Sequence, residues 1–134
     1  MNQDSDLSPD PLSSDADAVK LHPLLVRGIE LFNCMEFFEC HEVLEELWNQ
    51  QSLPEKEFTQ GLIQIAVGFY HLRRDNFEGA NKLLARGTTR VGKFPPNYLG
   101  FDLAMFLTDV ETVMKKSNRQ QAVSESEFPQ LAAP

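Results

Sequence analysis

Apolar residues recur at spacings of three and four along most of this chain, and no stretch alternates apolar and polar positions beside hairpin turn residues. The pattern predicts an all-α fold. Pro23 suits a first helical turn, and beyond it Leu25, Gly28, Ile29 and Phe32 share one face up to a stop at Asn33. A second helix, from Phe37 to about Gln50, gathers Cys40, Val43, Leu44 and Leu47 on one side and closes before Pro54. The third, from about Glu55 to Arg73, is apolar nearly all round, as a centrally buried helix is. A D-x-x-E capping box at Asp75 and Glu78 opens a fourth, whose stripe of Phe77, Ala80, Leu84, Gly87 and Val91 ends before Pro95-Pro96. Asp102 caps a fifth, in which Leu103, Phe106, Leu107, Val110, Val113 and Met114 repeat at helical spacing. Short connections between the early helices favour antiparallel neighbours, hence a single-domain up-and-down bundle of four to five helices.

Two polar stripes interrupt this apolar pattern. At roughly 100° per residue, Gln60, Gln64 and His71 align on the otherwise apolar third helix. Gly61 and Gly68 lie beside them and would let another backbone approach closely. On the second helix His41 and Glu45 stand one turn apart, flanked by Phe38 and Trp48. An unpartnered buried polar group costs about 1–3 kcal/mol, so the economical arrangement faces the two stripes together in a semi-buried seam between helices two and three. Such a seam is either a structural hydrogen-bond network or a site for a metal or small ligand.

Two metal templates fail on inspection. H-E-x-x-H requires a second His where His41-Glu42-Val43-Leu44-Glu45 has Glu45, and the paired Glu-x-x-His of di-iron bundles meets Phe38 and Gly68 at its Glu positions. What survives is a mononuclear divalent-metal set of His41, Glu45 and His71, with Glu42 or Gln64 in support and His22 added only if the first helix packs alongside.

Composition narrows the functional classes. The 134 residues carry 42% hydrophobic content, enough for one core, and a net charge of −8. From Leu21 to Lys116 there are 13 acids against 10 bases, so no domain-wide basic field exists and nucleic-acid binding is disfavoured. The strip of Lys82, Arg86, Arg90 and Lys93 on helix four reads as a solvated face. No apolar run approaches the roughly 20 residues of a membrane span, and the N-terminus lacks the features of a secretory signal. Cys34 and Cys40 make no disulfide framework, which points to a cytoplasmic setting, and Cys40 falls on an apolar face. Residues 1–19 and 117–134 are rich in small polar residues and read as disordered tails, the first acidic, around a bundle domain at 20–116.

The segments Leu31-Phe32-Asn33, Phe37-Phe38-Glu39-Cys40-His41-Glu42-Val43-Leu44-Glu45-Glu46-Leu47-Trp48 and Gln60-Gly61-Leu62-Ile63-Gln64-Ile65-Ala66 carry a resemblance, strengthened by Tyr70-His71, Asn76 and Gly79-Ala80. Together they resemble the family called domain of unknown function 309, over about residues 22–115. The resemblance implies a compact helical fold and no particular activity. By it His41, Glu42, Glu45, Trp48, Gln60, Gln64, His71 and Asn76 stand at motif positions, whereas Met35 and Asp75 occupy turns at which the resemblance implies Gly.

Two functions of different class follow. One is a helical binding or adaptor module, its seam orienting the bundle while an exposed surface meets another protein. The alternative is a small metal-dependent or acid–base enzyme using His41, His71 and the seam carboxylates. Neither a substrate nor an oligomeric state is legible.

Overall fold

A computed structural model describes residues 20–132, and the acidic tail expected over 1–19 lies outside them. Among the described residues there are five α-helices and no strand: α1 (Pro23–Asn33), α2 (Phe37–Gln50), α3 (Glu55–Arg73), α4 (Phe77–Val91) and α5 (Leu103–Asn118). Each packs on the next in chain order, and α3 lies between α2 and α4. Phe38 meets Tyr70, Lys56 meets Trp48, and Arg90 meets Glu57, so both flanking helices run antiparallel to α3.

The ends of the helices follow from local chemistry. His22 caps α1, its Nδ1 accepting the Leu24 N–H at 3.0 Å, and Asp102 caps α5 by accepting from Met105 at 3.0 Å. The fourth helix starts differently from the expected capping box. Asn76, not Asp75, is its N-cap, accepting the Gly79 N–H at 3.1 Å. Asp75 is instead the left-handed residue that closes α3, with φ 58°, and Met35 closes α1 in the same way with φ 61°. In both turns the N–H of the following residue reaches five positions back, Glu36 to Leu31 O and Asn76 to His71 O, each at 2.9 Å. This hydrogen-bond pair favours Gly at the left-handed position, and here Met and Asp fill it.

At the centre a chain of phenylalanines joins the helices, with Phe32 within 5.3 Å of Phe37, 5.8 Å of Phe69 and 5.6 Å of Phe106, centroid to centroid. Such pairs add about 0.5–1.5 kcal/mol each beyond their burial. The α3–α4 contact is closer than ordinary side chains permit. A Cβ on Gly87 would stand 2.8 Å from the Gly61 carbonyl oxygen, and one on Gly61 would stand 2.7 Å from Val91 Cγ2. The two backbones therefore touch where both helices lack a side chain.

The structure overturns the expected disordered tail over residues 117–132, and residues 133–134 of that expectation lie outside the described residues. Ser117 is buried inside the helix and donates to Asn81 Oδ1 at 2.6 Å. The chain then turns and runs back across the bundle, burying Phe128, Pro129 and Leu131. Composition misled because few apolar residues suffice when each drops into an existing gap. Phe128 packs on Phe37 and Phe69, at 5.7 and 5.3 Å.

Candidate functional site

The residues singled out from the sequence do not form one seam. On α2, His41 is half-buried, with its Nδ1 donating to the Phe38 carbonyl at 3.0 Å and its Nε2 3.5 Å from Glu45 Oε2. That pair faces outward, since the Glu45 side chain is 57% exposed, and Glu42 is exposed as well. On α3, Gln64 turns toward α4 rather than α2, and His71 turns to the start of α4, where Asn76 Nδ2 donates to its Nδ1 at 3.3 Å. Two members of the α3 stripe, Gln64 and His71, thus find their partners on the side away from α2. Among the described residues no three His, Cys, Asp or Glu side chains converge as a metal would require, so the set His41, Glu45 and His71 is not brought together. The reason is rotational: close packing of Gly61 and Gly68 against α4 points the Gln64 and His71 side of α3 at that helix.

What the fold assembles instead is a polar cluster across α3 and α4. Arg90 donates through Nε to Gln64 Oε1 at 3.1 Å and through Nη1 to Glu57, while Lys93 reaches the second Glu57 oxygen at 2.8 Å. The Lys93 hydrogen bond, with Arg90 alongside, holds the Glu57 carboxyl below the usual carboxylate range. Half of the strip expected to be a solvated face is thus engaged. Glu57 at i, Gln60 at i+3 and Gln64 at i+7 form one helical face, while Arg90 lies in the last turn of α4 and Lys93 in the turn just beyond it; the residues are visible in the sequence, but their mutual approach is not.

Beside this cluster opens a groove of about 610 Å³, lined by Glu45, Trp48 and Asn49 of α2, Leu53 of the following turn, and Lys56, Glu57, Gln60 and Ile63 of α3, with Arg90 at its edge. Lys56 places Nζ 4.0 Å over the Trp48 ring, a cation–π contact that leaves the indole partly accessible. Leu53 is 73% exposed, the most exposed large apolar residue among those described. The Gln60 amide makes no hydrogen bond within the described residues, although it is half-buried. Leu53 escaped the sequence reading because it sits in a turn and belongs to no helical stripe.

Three of the expected residues, Glu45, Trp48 and Gln60, therefore do meet, but on the rim and floor of this groove. Comparison with known proteins concerns the same helices. Residues 25–83 match the family described as Domain of unknown function (DUF309). This DUF309 segment takes in α1 to α3 and the start of α4, including every residue singled out from His41 to Asn76, while Arg90 and the returning C-terminal segment lie beyond it. The chain is 43% identical over 58 residues to "Uncharacterized protein YpuF" of Bacillus subtilis (strain 168), an alignment covering 42% of the chain and 33% of that protein. It is 25% identical over 92 residues to an "Uncharacterized protein" of Aquifex aeolicus (strain VF5), covering 68% of the chain and 28% of the relative. The chain thus spans about a third or less of the curated relatives it matches. Among the described residues no helix is long and apolar enough to cross a membrane.

Proposed function

We propose that this chain is a helical binding module and that the groove between α2, α3 and α4 takes a segment of a partner protein. The reading is carried by the meeting of exposed Leu53 with half-open Trp48 and the half-buried Gln60 amide in one cleft. An apolar side chain of the partner would settle on Leu53, Trp48 and Ile63, and its main chain would pair with the Asn49 and Gln60 amides. The opposed charges Glu45, Glu57, Lys56 and Arg90 nearly cancel around the groove, which favours a peptide over a highly charged ligand. The free thiols of Cys34 and Cys40 suit the reducing cytoplasm for this work.

A photo-activated cross-linking residue placed at Leu53 in living cells tests the reading. A discrete protein adduct is expected, lost when Trp48→Ala and Gln60→Ala are added to chains whose circular dichroism is unchanged. An adduct that survives both substitutions, or none above that at exposed Lys115, would overturn it.

A further inference from the structure

The segment that returns after α5 is held like a bound peptide. Asn33, the last residue of α1, accepts the Leu131 N–H on its Oδ1 at 2.8 Å and donates from Nδ2 to the Leu131 carbonyl at 3.0 Å. One amide side chain thus reads both main-chain groups of a single extended residue, as peptide-binding sites do. The Leu131 side chain is buried, and with Gly28, Ile29, Phe32, Leu44, Leu62 and Phe106 it walls a small residual cavity of about 10 Å³. Three residues earlier, Phe128 enters an aromatic socket on Phe37 and Phe69. Flanking charges complement the segment, Arg73 pairing with Glu125 at 3.1 Å and Lys116 with Glu127. Around its buried anchors the segment is open: Ser126 and Gln130 are exposed, and a groove of about 650 Å³ runs along it against α5. The turn that attaches it, residues 119–122, is exposed throughout, and Gln120 there holds a left-handed φ of 57°. Asn33, Gly28, Phe37 and Phe69 lie within the matched DUF309 segment, whereas the occupant lies outside it.

We infer that the seam closed by residues 123–132 is a second peptide-docking surface, and that the chain's own C-terminal segment is its tethered ligand. The external partner is an extended polypeptide segment carrying Phe and Leu three residues apart, preceded by acidic residues that meet Arg73 and Lys116. Such a segment binds by displacing the tethered one, so its apparent affinity for the intact chain is lowered by the local concentration of the strap, on the order of millimolar for a short tether. The surface is distinct from the groove at Trp48 and does not depend on a partner there.

The test uses the full chain and a fluorescent synthetic peptide with the sequence of residues 123–132. In full-length Phe128→Ser/Leu131→Ser the sockets are vacated, and this variant is expected to bind the peptide at least about tenfold more tightly than the unaltered chain. Asn33→Ala in that background should weaken binding about tenfold, and a scrambled peptide should not bind. A double variant that keeps its helical circular dichroism yet binds no peptide overturns the inference. So does one that loses its helices, because the strap is then an inseparable part of the core. A concentration-dependent dimer of the unaltered chain, dissociated by the same double substitution, would assign the occupant to a second copy and overturn the external partner.

Discussion

Arg90 of α4 donates its Nε–H to Gln64 Oε1 of α3 across 3.1 Å, and the same guanidinium engages Glu57 about two turns earlier on α3. This contact connects the fold to the groove, because Glu57 and Arg90 both line it and their mutual position sets its edge. Gln64→Leu removes one hydrogen bond to a charged group, worth about 1 kcal/mol at this half-exposed position. Arg90→Met should lower the urea midpoint further, since Gln64 and Glu57 both lose a partner. Midpoints with unchanged slopes decide it, and a larger loss for Gln64→Leu would mean that the cluster does not act through Arg90.

Gly87→Ala probes the backbone contact beneath the same site. Its Cβ would stand 2.7 Å from Ile65 Cγ1 and 2.8 Å from the Gly61 oxygen, and the second of these neighbours is main chain. The helices must part, at a cost of about 1–3 kcal/mol by the usual scale of overpacking. A thermal midpoint within a degree of the unaltered chain would show that α4 can shift without loss.

The helices were legible because burial and period coincide. Leu44, Leu47, Leu84 and Val110 each lie on the expected stripe and are fully or almost fully buried. The site was half legible. Spacing on one helix reveals that Gln60, Gln64 and His71 share a side, but which neighbour that side meets depends on the rotation of α3. That rotation is fixed by Gly61 and Gly68 docking on α4, and the spacing of two glycines on one helix does not name the helix that approaches them. The flanking aromatics Phe38 and Trp48 suggest a semi-buried pair, and Phe38 does pack on the half-buried His41, but it is itself 51% exposed and leaves Glu45 open to solvent. The C-terminal strap was illegible for a different reason: its sockets are built from residues about a hundred positions away, such as Asn33.

Met35 and Asp75 stand where the family resemblance implies Gly, and both adopt positive φ, 61° and 58°. Asp75 is exposed, so replacing it loses little packing. Asp75→Gly should raise stability by about 0.5–1 kcal/mol, the left-handed strain relieved less the added unfolded-state entropy. A lowered urea midpoint would mean that the Asp side chain contributes more than its backbone costs.

Leu131→Ala removes a buried side chain that borders a small cavity with Gly28, Phe32 and Phe106, while leaving the Asn33 bonds to the main chain in place. Leucine-to-alanine changes at closed sites cost about 2–5 kcal/mol, and partial release of a terminal segment should hold this one near the lower figure. In a domain of this size that lowers the thermal midpoint by roughly 10 °C. A shift under about 3 °C would show the strap to be detached in solution.

Acid should release the strap through Glu127. The Lys116 ammonium bonded to it, helped by the Ser124 N–H and hydroxyl, lowers this carboxyl from 4.5 to about 2. A group whose folded value is depressed contributes stability that is fully present above its unfolded value and is lost as pH falls through the folded one. The contribution of Glu127 is therefore complete above pH 4.5 and declines toward about pH 2. Glu57 is lowered too, chiefly by Lys93, but it ties α3 to α4 and not the strap, so the two can be separated. Hydrogen exchange at the Leu131 amide, corrected for intrinsic rates, should accelerate across this window in the unaltered chain. Glu127→Gln should flatten that dependence, whereas Glu57→Gln should leave it intact and flatten the acid limb of global unfolding instead. If exchange at Leu131 follows global unfolding at every pH and neither substitution separates the two curves, the strap and the bundle open as one unit.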